Sequence, residues 1–295
     1  MMDASTGAMG VVAAAPGVAN PSDVAYSLLS DSMSGLEFGS LIRPCVLCGD
    51  GARRYAVERD ILKSVSITEK TRLKGESYLR QVQKTQDEVV DTVGCIVVAN
   101  HMMVAAGSSG GNWLSYPGRT GLCGVPGAGV WCDGDVGCVL SGVGETCIRR
   151  LFAKQVCDIM QSGIRCEKRI EMAIKEELVH DMEKMRISLQ PSFGVVAVKM
   201  NKTEEVSVIV SSLADMFGYG YVSIREDEID KEDVVKERSS VVIEKESGGV
   251  TNKFHASMCF VYSWLHSSFS SLFSGAGLCS ALSSSHSSGV VSRLS

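Results

Sequence analysis

The sequence predicts a layered α/β protein with a largely antiparallel central sheet that is covered by helices. Two observations carry this prediction: apolar, β-branched runs of strand length alternate with segments whose apolar residues follow i, i+3, i+4 spacing. The predicted order is strand, helix, strand, helix, then a hairpin, glycine-rich loops, two helices and three strands. A 295-residue chain with 45% hydrophobic and 21% charged residues has the composition of an ordinary globular protein.

The first 90 residues contain short elements separated by turns. A strand is predicted around Val11-Val12, a helix after Asn20-Pro21, a short strand over 44–48 and a helix over 51–57. Residues 64–90 are polar and charged, which predicts a flexible linker or a marginal helix. Cys45 and Cys48 form a CxxC motif, but without a second pair or a reactive-thiol context it is interpreted as structural.

The middle of the chain predicts a hairpin followed by loops. A strand over 92–98 is followed by a turn at Ala99-Asn100 and a second strand over 103–106, and residues 108–111 read as a closing turn. Residues 112–144 are rich in glycine, which is typical of backbone bends around a site built from loops.

The second half predicts helices, strands and then a tail. Helical spacing runs through 145–187, and strands are predicted at 193–199, 206–211 and 217–224. Residues 225–246 hold 14 charged residues, and residues 267–295 hold 13 serines. We therefore predict a disordered tail over 225–295.

Charge and cysteine usage limit the classes of partner. A net charge of -5 gives no reason to expect nucleic acid or an anionic membrane. Eleven irregularly spaced cysteines without a secretory signal favour reduced thiols in the cytoplasm or nucleus. The sequence shows neither a long uninterrupted apolar run nor a metal-ligand cluster. We expect no cofactor and no required metal.

Thr92 is the candidate nucleophile. It begins a buried strand directly after a polar linker, where a bond before it can be reached while the residue itself becomes fixed in the core. A hydroxyl needs a base near neutral pH, and the α-amine that cleavage before Thr92 would free has an ordinary pKa of about 7.7–8.0. Such a site needs no histidine or lysine.

Four motifs in order carry a resemblance to a known family: Asp91-Thr92-Val93-Gly94, then 108–111 (Ser-Ser-Gly-Gly), 117–121 (Pro-Gly-Arg-Thr-Gly) and 141–145 (Ser-Gly-Val-Gly-Glu). This arrangement resembles the N-terminal-nucleophile hydrolases of the plant-type asparaginase and isoaspartyl peptidase family, and within it the threonine aspartases (taspases). The resemblance covers about residues 2–224.

The resemblance implies a four-layer αββα sandwich and a precursor that cuts itself between Asp91 and Thr92. Residues 1–91 would be part of an α subunit, in which 64–91 is the linker, and residues 92–224 would be the catalytic core of the β subunit. The family's αβ units commonly pair into α2β2 assemblies.

The resemblance also implies the roles of individual residues. Ser109 would orient the Thr92 amine and hydroxyl, and Arg119 would bind a substrate carboxylate through a bidentate pair. Ser141 and Gly142 would supply the oxyanion hole.

Two positions separate the branches of the family. Asparaginases and isoaspartyl peptidases usually have glycine before the nucleophile and an aspartate three residues after the arginine; here these positions are Asp91 and Leu122. Both indicate an endopeptidase that cleaves protein substrates after aspartate. The alternatives are an L-asparaginase or isoaspartyl dipeptidase, or an inactive truncated pseudoenzyme.

The sequence departs from the family pattern in three ways. Met1 falls inside the α-subunit pattern, so the first strand and helices of the sandwich are expected to be missing from this chain. The spacing from Thr92 to Ser109 is about one residue short, and residues 100–103 replace the usual glycine of the hairpin. These departures bear on activity more than on ancestry.

Overall fold

Two antiparallel sheets that pack face to face form the centre of the molecule. The computed structural model describes residues 1–35, 37–38, 41–62, 68–81, 92–99, 101–109, 116–202, 205–214, 217–222, 240–244, 249–255 and 258–262. The six-stranded sheet has the order β1-β7-β6-β15-β12-β13, and the five-stranded sheet has the order β14-β11-β10-β9-β8.

The strands of the described residues are numbered in chain order. They are β1 Met2–Asp3, β2 Val11–Ala13, β3 Glu37–Phe38, β4 Leu41–Ile42, β5 Val46–Cys48, β6 Thr92–Ala99, β7 Met102–Ser109, β8 Val130–Asp133, β9 Val136–Ser141, β10 Phe193–Met200, β11 Glu205–Leu213, β12 Phe217–Val222, β13 Ser240–Glu244, β14 Gly249–His255 and β15 Met258–Tyr262. β2 and β5 form a separate parallel pair, and β3 and β4 a separate antiparallel pair.

The helices lie before the hairpin and between the strands of the five-stranded sheet. They are α1 Pro21–Met33, α2 Gly49–Glu58, α3 Glu69–Gln81, α4 Gly144–Arg150, α5 Phe152–Ser162, α6 Cys166–Met172 and α7 Val179–Lys184, with a 3-10 turn at Leu122–Gly124 and a π-helical segment at Ala173–Leu178 between α6 and α7. None of these described helices combines the length and the apolar composition needed to cross a bilayer.

Two apolar cores lie on opposite faces of the five-stranded sheet. One fills the space between the two sheets and includes Ile96, Met103 and Val139. The other joins the five-stranded sheet to α5, α6 and the π-helical segment, where Phe152, Ile170 and Ile174 are fully buried. β9 contributes alternate residues to both cores, as a central strand between two buried faces does.

The mixed α/β class and the antiparallel pairing are confirmed. β6, β10, β11, β12 and the helices from 144 to 184 lie within a few residues of their predicted positions. The fourth layer of the sandwich stays a prediction.

The hairpin and the glycine-rich stretch contain more strand than predicted. Ser108 and Ser109 belong to β7 rather than to a turn, and β8 and β9 cross the stretch predicted as loops. The glycines there do not break the strands, because Gly137 in β9 packs directly under Met103 and Ile96 of the other sheet. Helix α3 also occupies much of the predicted linker, whereas residues 82–91 lie outside the described residues.

The prediction of a wholly disordered tail over 225–295 differs from the structure. β13 and β15 join the six-stranded sheet beside β12, and β14 extends the five-stranded sheet beside β11. These segments contain β-branched and aromatic residues, which favour strands. The many charged residues around them led to the prediction of disorder. Residues 223–239, 245–248, 256–257 and 263–295 lie outside the described residues.

A buried ion pair fixes the C-terminal end of α4. The Arg150 Nε atom donates a hydrogen bond to Oδ2 of Asp181 at 2.5 Å, and Arg150 also pairs with Glu177. Only 1% of the Asp181 side chain is exposed, and the hydrogen bond from Arg150 holds the pKa of this carboxyl below its ordinary value. The stability that the pair contributes is therefore present above about pH 4 and is lost as the pH falls through the lowered pKa of the folded state.

We predict that Asp181→Asn lowers the free energy of unfolding at pH 7 by about 3 kcal/mol, because it removes the buried carboxylate and leaves Arg150 paired with the more exposed Glu177. Urea unfolding at pH 7 measures this loss, and the difference from the wild type should shrink as the pH falls below about 4. Asp158→Asn is the matched control, since it breaks an exposed pair with Lys154 and should cost less than about 0.5 kcal/mol. Equal losses for the two variants would contradict the assignment.

Candidate active site

Thr92 and Ser109 are directly opposite each other at the open end of the β6–β7 hairpin. The register runs from Ala99 with Met102 to Thr92 with Ser109. Opposed residues in an antiparallel pair have Cβ atoms about 4.5–5.5 Å apart and point to the same face of the sheet. Thr92 is 3% exposed. The first residue of the predicted β subunit is therefore fixed in the core with a serine beside it.

The packing of the two sheets brings Ser141 to the same place. A Cβ atom on Gly137 would lie 3.4 Å from Ile96, and one on Gly94 would lie 2.8 Å from the Cβ atom of Val139. Ile96 therefore faces Gly137, and Gly94 faces Val139. Moving two residues along each strand gives the next facing pair, because every second residue of a strand lies on the same face. Continued by one more step, this register predicts that Ser141, which is 2% exposed, lies across from Thr92.

Gly142 needs to be glycine for steric reasons. β9 pairs Ser141 with Gly194, and α4 begins at Gly144. A Cβ atom on Gly142 would lie 2.3 Å from the ring of Phe193, so a side chain would push this strand-to-helix turn away from the sheet. The turn therefore holds the Ser141-Gly142 backbone at the end of β9.

Arg119 reaches the same region from a tight turn. The Arg119 amide donates to the Tyr116 carbonyl at 2.9 Å, and Gly118 has a φ of +92°, as the third residue of a type II turn requires. A Cβ atom on Gly121 would lie 2.7 Å from the Ser109 Oγ atom and 3.7 Å from the Arg119 Nη1 atom. Gly121 thus leaves room for the serine and the arginine to flank one point.

Arg119 also forms an ion pair that sequence analysis missed. Its Nε and Nη2 atoms donate to Glu145 Oε1 at 3.0 and 2.8 Å, and Nη2 donates to Oε2 at 3.0 Å. The two residues are 26 positions apart, and Glu145 also lies in the first turn of α4, where its charge is favourable to the helix dipole. Helix and strand periodicities relate residues that are only a few positions apart, so they could not predict the Arg119–Glu145 pair.

Leu122, the position that separates the family branches, is an apolar core residue. It is 2% exposed and belongs to the core that packs on the helices. It supplies no charge to pair with an ammonium group.

Cysteine is a poor nucleophile in this region. Burial raises the pKa of Cys147, in α4, to about 12, and burial also raises the pKa of Cys132 to about 12. Both thiols are therefore protonated at neutral pH, and the thiolate is the nucleophilic form. Cys132 and Cys147 are therefore not candidate nucleophiles.

The structure thus brings together the predicted residues Thr92, Ser109, Arg119, Ser141 and Gly142. Asp91 lies outside the described residues, and so do residues 110 and 111 of the second motif.

Cys45 and Cys48 of the CxxC motif are both free thiols. β5 is extended from Val46 to Cys48, so three residue steps put the two Cα atoms about 10 Å apart, which is too far for a disulfide. The described residues contain no group of three or more side chains suited to holding a metal ion. The expectation that no metal is required stays a prediction.

Two antiparallel sheets with a threonine, two serines and an arginine at one end define the class of an N-terminal-nucleophile fold. Comparison with known proteins agrees: the profile of the asparaginase family matches residues 1–215. The chain belongs to this family.

The relatives carry asparaginase names. A plant-type L-asparaginase of Pyrobaculum calidifontis is 28% identical over 190 residues, 59% of this chain and 58% of the relative. An N(4)-(beta-N-acetylglucosaminyl)-L-asparaginase of Mus musculus is 29% identical over 150 residues, 47% of this chain and 43% of the relative. An L-asparaginase-like protein of Drosophila melanogaster is 38% identical over 79 residues, 26% of this chain and 20% of the relative. The chain therefore spans about three fifths or less of these relatives.

We predict that Gly94→Ala disturbs the site by separating the sheets, because its Cβ atom would lie 2.8 Å from that of Val139. Such overpacking costs about 1–3 kcal/mol in the free energy of unfolding, measured by urea denaturation. Val139→Gly removes the opposing side chain, so the double variant should be more stable than the sum of the two single losses predicts. Strict additivity in this double-mutant cycle would contradict the facing register.

Proposed function

We propose that this chain is the catalytic part of an N-terminal-nucleophile amidohydrolase that cleaves its own backbone before Thr92. The proposal is supported by the pairing of Thr92 with Ser109 in the hairpin and by the β6–β9 register, which continues from Gly94 and Val139 toward Thr92 and Ser141. A buried threonine at a strand start is common by itself. A second hydroxyl residue beside it and a strand-to-helix turn facing it are what an activated hydroxyl nucleophile needs.

Self-cleavage in this proposal is an acyl shift followed by hydrolysis. The Thr92 hydroxyl oxygen attacks the carbonyl carbon of Asp91, the peptide C–N bond breaks, and the nitrogen takes up the hydroxyl proton to leave an ester. Water then attacks the ester, so that Asp91 keeps a carboxylate and Thr92 keeps its hydroxyl and a free α-amine. The products are a 91-residue and a 204-residue chain, which together make 295.

In the proposed catalytic cycle, the Thr92 hydroxyl and α-amine act in two stages, which are acylation of Thr92 and hydrolysis of the acyl-enzyme. The freed α-amine accepts the Thr92 hydroxyl proton while the oxygen attacks the substrate carbonyl, and the leaving amine carries that proton away. The Ser141-Gly142 turn stabilises the oxyanion of the tetrahedral intermediate, a contribution of about 2.7–4 kcal/mol per donor. Water then hydrolyses the acyl-enzyme. Ser109 keeps the amine and hydroxyl in register.

The proposed reaction is endopeptidase cleavage after aspartate in protein substrates. Arg119 provides a cation for the aspartate side chain, and Asp91 shows which residue would precede the bond in self-cleavage. Leu122 supports a peptide over a free amino acid, because a free α-ammonium group would meet an apolar core residue where the family has a carboxylate.

L-asparaginase or isoaspartyl dipeptidase activity is the second candidate. The observation that favours it is that relatives such as the Pyrobaculum calidifontis protein are named plant-type L-asparaginases. Glu145 gives this candidate a structural basis, since its carboxylate beside Arg119 is half-exposed and could pair with an ammonium group. The substrate tests below separate the two candidates.

The proposed oligomeric assembly rests on the family resemblance, and the proposed cellular location on the cysteine usage. Neither rests on the geometry of the site. We propose that cleaved αβ units pair into an α2β2 assembly in the cytoplasm or nucleus. Sedimentation equilibrium that gives the mass of one αβ unit would contradict the assembly, and fractionation into secreted material would contradict the location.

We predict that the purified chain resolves into the 91-residue and 204-residue fragments on a denaturing gel and that Thr92→Ala stays intact. Without the hydroxyl oxygen no ester can form, so the loss should be complete. Thr92→Ser retains the hydroxyl and should cleave more slowly. The N-terminal sequence of the larger fragment should begin Thr-Val-Gly-Cys.

Two results would sink the self-cleavage proposal. One is cleavage at this bond in Thr92→Ala. The other is a wild-type chain that stays at 31.5 kDa while circular dichroism shows it folded.

We predict that the processed protein cleaves a blocked peptide after aspartate and that Arg119→Ala lowers kcat/KM by about 100-fold, because a charge-assisted contact to the substrate carboxylate is lost. Mass spectrometry of the products measures the cleavage. The same peptide with asparagine in place of aspartate is the control and should be a poor substrate. Ammonia release from free L-asparagine, with no peptide cleavage, would favour the second candidate.

A further inference from the structure

We propose that Glu145 is a positioning residue for substrate binding: it holds one edge of the Arg119 guanidinium so that the Nη1 atom is presented to an aspartate side chain beside Ser109. The inference rests on the proposed function, in which Arg119 binds a substrate carboxylate. It restricts the expected bidentate substrate pair, because Glu145 occupies the Nε–Nη2 edge of the guanidinium and leaves the end-on edge with Nη1 for a substrate carboxylate.

The contacts define which edge is held. Glu145 accepts from Nε and Nη2 at 2.8–3.0 Å, so its carboxylate lies along the side of the guanidinium. The guanidinium is planar and its donors have fixed directions. Holding the Nε–Nη2 edge therefore fixes the direction of the two Nη1 protons as well.

Two glycines form the walls on either side of this group. A Cβ atom on Gly144 would lie 3.0 Å from Nη2, so the guanidinium packs closely over the start of α4. A Cβ atom on Gly121 would lie 3.7 Å from Nη1 and 2.7 Å from the Ser109 hydroxyl. Nη1 is therefore on the side of Ser109, and hence of Thr92, while Nη2 is on the side of α4.

The pair is too exposed to be explained by stability. The Arg119 side chain is 23% exposed and that of Glu145 is 45% exposed, and ion pairs of this kind contribute little to folding. The other end of α4 is already fixed by the buried pair of Arg150 with Asp181. What Glu145 adds is the orientation of a long side chain that otherwise samples many rotamers.

Positioning and competition predict opposite changes in KM. If Glu145 orients Arg119, its loss lets the guanidinium turn away and KM rises. If Glu145 only competes with the substrate carboxylate for Arg119, its loss lowers KM. The chemical step uses other atoms, so kcat should change little under either explanation.

The test is steady-state cleavage of the blocked aspartate peptide by processed wild type, Glu145→Ala, Glu145→Gln and Glu171→Gln. We expect Glu145→Ala to raise KM about 10-fold to 100-fold with kcat within about threefold. Glu145→Gln keeps an acceptor for one donor and should lie between Glu145→Ala and the wild type. Glu171→Gln removes a carboxylate of similar exposure on α6, which pairs with Lys175 of the π-helical segment, and it should behave as wild type.

A second measurement separates positioning from damage to the fold. Titration calorimetry with a product peptide that ends in aspartate, and with its asparagine counterpart, gives the preference for a carboxylate. Glu145→Ala should reduce that preference at least about fivefold while its thermal unfolding midpoint stays within about 2 °C of the wild type.

The outcomes distinguish this inference from the proposed function. An unchanged or lowered KM, an unchanged carboxylate preference, or a large fall in the unfolding midpoint would overturn the inference alone. If wild type cleaves no aspartate peptide but binds the product peptide in a Glu145-dependent way, the endopeptidase proposal fails and the positioning role stands. If wild type neither cleaves nor binds, both fail.

Discussion

The site depends on one packing constraint, the register in which β6 lies on β9. Gly94 has no side chain, so the Cβ atom of Val139 can approach the β6 backbone more closely than any other residue would allow. That contact sets the separation and the alignment of the two sheets at this end of the molecule. Thr92 lies two residues before Gly94, and Ser141 lies two residues after Val139, on the faces of the sheets that meet. The same register therefore aligns these two residues.

The second constraint is that α4 is held at both ends. At its start, Glu145 pairs with Arg119, which comes from a turn in another part of the chain. At its end, Arg150 pairs with the buried Asp181 of α7. The strand-to-helix turn at Gly142 is therefore attached to the sheet through β9 and to the helical layer through α4. A rigid support of this kind is what a preorganised oxyanion site requires.

The strands after residue 222 place the site within a larger structure than the family match covers. The match ends at residue 215, yet β15 pairs with β6 along Val93–Val97, next to Thr92. Because β6 has neighbours on both sides, it is protected from the fraying that an edge strand suffers.

The sequence by itself determined the elements and the candidate residues, because strand and helix periodicity, the Asp91-Thr92 junction and the four motifs are local patterns. It could not determine β8 and β9, because a glycine-rich sequence is typical of loops. Gly137 is compatible with a strand here because residues of the opposite sheet pack against it. Nor could it determine the strands β13 to β15 in the charged tail. Composition does not show which distant segments pair, and β15 pairs with β6, which is far away along the chain. The tertiary structure alone decided that Gly94 meets Val139 across the sheets and that Glu145 pairs with Arg119, because both contacts depend on how separate segments pack and not on their spacing along the chain.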